Sequence, residues 1–64
     1  MIRIEIKDQH IEATKDGKVI RTIDVPPRCD VNAIAEGLVM TYLARNHVAE
    51  RDGNVIIIKR GFET

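Results

Sequence analysis

The residues of this chain that could carry chemistry are few. Cys29 is its one thiol, and His10 and His47 are its two imidazoles. A nucleophilic cysteine needs a histidine base close in space and surroundings that favour the thiolate. Both histidines lie far from Cys29 along the chain, and a small buried cysteine is the expected role. His10 and Glu12 share a strand face and give two ligands of a metal site, with Glu5 as the third. Zinc sites use three or four groups in which His or Cys dominates, so neither a metal nor any other cofactor is expected. The sequence has no glycine-rich phosphate loop, no Gly-x-Ser-x-Gly elbow and no His-Glu-x-x-His helix. No catalytic residue is assigned, and the reading is of a protein that is not an enzyme.

The elements that would position these groups belong to a small α+β domain spanning residues 1–64. Apolar residues make up 44% of the chain and charged residues 31%, too apolar for disorder and ordinary for a globular fold. No apolar run approaches the roughly 20 residues of a membrane span, and no signal-peptide pattern opens the chain. The reading is therefore cytoplasmic, with no membrane contact. Ten basic residues balance ten acidic ones, which gives a generic polyanion binder no support. Isoleucine and valine number sixteen against two leucines, a bias toward pleated surfaces. With only Tyr42 and Phe62 as aromatics, the core of a monomer would be thin.

Residues 1–25 read as a three-stranded antiparallel meander. Ile2, Ile4 and Ile6 alternate with Arg3, Glu5 and Lys7, the period of a half-buried strand. A turn at Asp8-Gln9 sets Ile6 opposite Ile11 and Ile4 opposite Ala13. Asp16-Gly17 suits a type I′ hairpin, which needs positive φ at both central positions. It predicts Ala13 opposite Ile20 and Ile11 opposite Thr22. The outer face then holds Glu5, Glu12 and Arg21 in one row, with Val19 and Ile23 as apolar exceptions. Pro26-Pro27 closes the third strand, since neither residue can donate a ladder hydrogen bond.

A helix is predicted over residues 30–46, with Asp30 as N-cap and Asn46 as its stop. Val31, Ile34, Ala35, Leu38, Val39 and Tyr42 form the stripe that packs on the sheet. Its back is unusual. Ala33, Gly37, Met40, Thr41 and Ala44 carry no charge, whereas a surface helix normally shows charges there. Mid-helix glycine costs roughly 1 kcal/mol relative to alanine, a cost that close approach of another backbone would offset. These five residues are the candidate protein interface, most simply of a homodimer across a two-fold axis.

Residues 47–59 admit two readings, a hairpin around Asp52-Gly53 or a helix continued to Asp52 before a single strand. A helix of that length would overhang the strands, and Ala49–Ile56 resembles the first hairpin at Ala13–Ile20. The hairpin is therefore preferred, giving βββα-ββ rather than βββα-β. Val55-Ile56-Ile57-Ile58 is apolar on both faces and predicts a strand covered on both sides, central in the sheet or at a contact. Residues 60–64 read as a tail.

What these features leave is a non-enzymatic protein-interaction module, a stoichiometric binder or inhibitor of a larger protein complex. Phage and mobile-element anti-defence proteins, anti-CRISPR proteins among them, are one population of that size. The alternative is a small DNA-binding regulator using Arg3, Lys7, Lys15, Lys18 and Arg21 on the charged meander face. Glu5, Glu12, Asp16 and Asp24 interrupt that face, and no aromatic side chain is placed there to stack bases.

Overall fold

The computed structural model describes residues 1–61, which form five strands and one helix in the order βββαββ. Strands β1 (Ile2–Lys7), β2 (His10–Lys15) and β3 (Lys18–Asp24) make the meander. Helix α1 (Val31–Leu43) follows, then the hairpin β4 (His47–Asp52) and β5 (Val55–Arg60). All the strands lie in one antiparallel sheet of order β3-β2-β1-β5-β4. The fold is α+β, with the second hairpin in place of a longer helix.

The central strand explains the rest. β1 has neighbours on both edges, and its isoleucines meet apolar partners across the ladders. Ile4 lies opposite Ala13 on one side and Ile56 on the other, and Ile2 lies opposite Ile58. These residues, with Ile6 and Ile11, form the floor of the core, and Ala35, Leu38 and Val39 of α1 form its roof. Asp30 caps the helix as expected, its carboxylate accepting from the Asn32 N–H at 2.9 Å. Helix geometry ends at Leu43, and Asn46 takes the left-handed conformation (φ 62°) that turns the chain into β4.

Two registers differ from those predicted. At Asp16-Gly17 both φ values are positive, 52° and 82°, as a type I′ turn requires. The ladder beyond it does not run on evenly. Thr14 faces Val19 but Ala13 faces Arg21, which leaves Ile20 as the extra residue of a β-bulge. Ile20 is therefore 48% exposed instead of inward. Ile11 lies opposite Ile23, not Thr22, and Ile23 packs against the core. The outer row is Glu5, Glu12 and Thr22, and Arg21 shares the face of Ala13.

The second correction is at the C-terminal hairpin. Asp52 pairs with Val55, so the turn is Gly53-Asn54 and not Asp52-Gly53. Gly53 alone of the two has positive φ (61°), the arrangement of a type II′ turn. Pairing moves by two residues, so every side chain keeps its face. Ile56 and Ile58 of β5 are buried, whereas Val55 and Ile57 are half-buried on the uncovered outer face. Interior position in the sheet accounts for this strand, without cover on both sides. Arg60 closes β5 instead of opening a tail, Gly61 donates its N–H to the Asn46 carbonyl at 2.7 Å, and residues 62–64 lie outside the described residues.

One tie between the meander and the helix has no periodic signature. The Gln9 amide nitrogen donates to the carbonyls of Pro26 (2.8 Å) and Cys29 (3.3 Å). The Val25 N–H returns a bond to the Gln9 carbonyl at 2.7 Å. The β1–β2 turn thus holds the Pro26-Pro27 connector that leads into α1.

The bulge has a direct consequence for stability. Ile11→Ala should cost about 2–5 kcal/mol, as for other buried large-to-small changes. Ile20→Ala should cost less than about 1 kcal/mol, because its side chain already meets solvent. Urea midpoints measure both, and equal losses would put Ile20 back in the core.

Candidate functional site

The uncharged back of α1 is solvent-exposed. Ala33, Gly37, Met40, Thr41 and Ala44 all lie on the open side, while the predicted stripe faces the sheet. The Thr41 hydroxyl donates to the Leu38 carbonyl at 2.6 Å, so its polar group is already engaged within the helix. Met40 is 63% exposed. A Cβ added at Gly37 would meet nothing within 4 Å. No packing inside the molecule calls for glycine there.

This face continues into a groove that the sequence did not reveal. α1 crosses the sheet beside β4 and leaves an open apolar channel of about 270 Å³ between them. Val39, Met40 and Leu43 form the helix wall, and Ala49 and Ile56 form the floor. Leu43 is 41% exposed and was assigned to neither helix face. Its spacing of three from Met40 is the signal that places the two side by side. At the other end of the groove Arg51 fixes α1 to β4. Its guanidinium lies 3.6 Å from Glu36 and donates to the Asn32 side-chain oxygen. The rim is polar and the channel is not.

The basic residues of the alternative reading are divided by the register. Arg3 and Lys7 lie on the outer face, each beside a glutamate: Arg3–Glu5 and Lys7–Glu12 are both 3.8 Å apart. Lys15 and Lys18 face each other at the Asp16-Gly17 turn, on the side of Ile2. Arg21 is on the side of Ala13. The sheet does not gather these five side chains on one surface.

The candidate chemistry is dispersed as well. Cys29 is exposed in the β3–α1 connector and not buried as expected. His10 and Glu12 do share the outer face, 3.9 Å apart, but the nearer partner of the imidazole is Asp24 at 2.7 Å. Among the described residues no three His, Cys, Asp or Glu side chains converge as a metal site would need. Among the same residues no helix is long and apolar enough to cross a membrane. Comparison of the chain with protein-family models, with curated proteins and with solved structures gives no match.

The open space at Gly37 sets a sign. In the isolated monomer Gly37→Ala should raise stability by roughly 0.5–1 kcal/mol, because alanine removes backbone freedom from the unfolded chain and its methyl meets nothing. A urea titration at low micromolar protein tests this. A loss of stability would mean that the glycine is needed within the fold.

Proposed function

We propose that this protein acts by binding protein, without chemistry of its own, through the back of α1 and the groove beside it. The observation that carries the reading is the exposure of Gly37, Met40 and Leu43 on one continuous uncharged surface. A glycine that nothing inside the fold explains suits close approach from outside. Exposed apolar side chains around a channel are the usual centre of a contact.

The first occupant is a second copy of the chain. A two-fold axis perpendicular to α1 sets the two helices antiparallel. Charge favours that orientation. Asp8, Asp24, Asp30 and Asp52 lie toward the end of the molecule where α1 begins, with Lys7 and Arg28 among them. Lys15, Lys18, Arg45, Lys59 and Arg60 lie toward the end where it stops, with Asp16 among them. Antiparallel protomers bring the acidic end of each beside the basic end of the other. A stoichiometric binder or inhibitor of a larger complex would present the same surface to its target, and the phage or anti-defence setting rests on size alone.

Sedimentation at tens of micromolar should give a species of twice the 7.2 kDa chain. Gly37→Arg should return it to the monomer with an unchanged circular dichroism spectrum, since the position is exposed. A wild type that sediments as a single 7.2 kDa species ends the homodimer reading.

A further inference from the structure

A second cavity lies at the opposite kind of surface. It opens at the end of the sheet where α1 stops, with a volume of about 340 Å³. Ile2 and Ile58 form its apolar floor, and Lys15, His47 and Arg60 stand around it. Among the described residues no carboxylate lines it. His47 is held in place on two sides: its Nδ1 lies 3.0 Å from the Arg45 carbonyl oxygen, and its ring meets Tyr42 edge-on at 5.8 Å between centroids.

The strand register puts unfavourable pairs here. Lys15 lies directly opposite Lys18, and His47 directly opposite Arg60. Like charges facing across a ladder destabilise it, and the second pair is of this kind whenever the imidazole is protonated. Elsewhere the molecule relieves such pairing. Glu5 opposes Glu12, and Arg3 and Lys7 each stand 3.8 Å from one of them. At the basic end no such relief occurs: among the described residues neither Lys15, Lys18 nor Arg60 is ion-paired. The C-terminal end of a helix does favour nearby cations, but it amounts to about half a charge. Lys15, Lys18, Arg45, Lys59 and Arg60 stand at this end against one carboxylate among the described residues, Asp16, which exceeds that need in a chain whose net charge is zero.

We infer that this cleft is an anion site for a phosphate monoester. Lys15 and Arg60 would hold the phosphate oxygens, and Met1 and the edge of Ile2 would carry the short organic part. Arginine offers a planar fork for two oxygens, whereas lysine acts as a point charge. The size suits a small ligand, since pockets for such molecules begin at roughly 300 Å³.

Nuclear magnetic resonance titration of the wild-type protein tests this, at constant ionic strength, with inorganic phosphate and then phenyl phosphate as probes. The expected result is a saturating shift confined to Ile2, Lys15, His47, Ile58 and Arg60, with phenyl phosphate the tighter of the two. Lys15→Gln and Arg60→Gln should each weaken binding by about tenfold, the worth of one charge-assisted contact. Lys59→Gln, on the other face of β5, should change it less than about twofold. All three positions are exposed, and urea midpoints will verify that the variants fold. Linear, unsaturated shifts, or an equal loss in Lys59→Gln, would overturn the site as mere charge attraction. A single-stranded oligonucleotide is the remaining arm. Tighter binding of it, with shifts spreading to Arg3 and Lys7, would overturn the small-ligand site in favour of nucleic acid.

Discussion

A helix about 10 Å across must cover a sheet of five strands spaced about 4.8 Å apart, and it is wide enough for two or three of them. That shortfall governs the molecule. α1 packs over β1, β2 and β4, and Ile56 and Ile58 of β5 join the same core. The buried isoleucines concentrate in β1, β5 and the adjoining residues of β2. Toward both edges of the sheet the inner face needs other residues. β4 supplies Ala49 and Arg51, and β3 supplies Arg21 and the half-buried Ile23.

Both edges follow from this. β3 lies farthest from α1, and a regular ladder would bring Ile20 to a place without cover. The bulge sets Ile20 aside and aligns Ile23 with Ile11, where burial is available. It also interrupts the outer edge, which blunts edge-to-edge pairing. β4 is regular, and its link to the helix is polar. Arg51 spans to Glu36 and Asn32, an exposed arrangement that contributes little stability but fixes the spacing of α1 and β4. Between that brace and the end of the helix no side chain closes the gap. The groove at Met40 and Leu43 is what remains when one helix serves this sheet.

Much of this was legible in the residues, and what was missed has a common cause. Strict alternation at Ile2, Ile4 and Ile6 fixed faces, and the expected pairs with Ile11 and Ala13 hold. Asp30 and the stripe from Val31 to Tyr42 read correctly because capping and helical period are local. Bulges are not local. Ile20 and Ile23 are chemically identical, and only the position of α1 decides which is covered. The likeness of Ala49–Ile56 to Ala13–Ile20 misled for the same reason. Asp-Gly occupies equivalent places in both, yet the turns differ by one residue. In the observed register Arg51 lies opposite Ile56, where it reaches the helix, and the Asn54 carbonyl accepts from the Ile6 N–H at 2.8 Å. Of the candidate site, the uncharged back was readable from residue types, whereas Leu43 and the groove required the crossing of α1 over β4. Gln9 left no signal, since a glutamine in a turn looks the same whether or not it bonds a distant loop.

Charge adds a constraint that composition concealed. Balanced totals gave a polyanion binder no support, but the register separates most of the two signs along the strands. The order matches the helix: acids gather where its N-terminal dipole is positive, and cations gather where it is negative. Part of the separation therefore stabilises α1. The remainder does not, because Lys15 opposite Lys18 repels within the ladder whatever the helix does. Groove and cleft thus differ in origin. An apolar channel beside a narrow helix is a geometric remainder, and burial of its walls is favourable for any complementary apolar surface. Cations that face one another are not a remainder of packing, since an uncharged residue at Lys18 would serve the turn as well. A negative charge nearby would relieve that repulsion, and the cleft beside Lys15 and Arg60 leaves room for one.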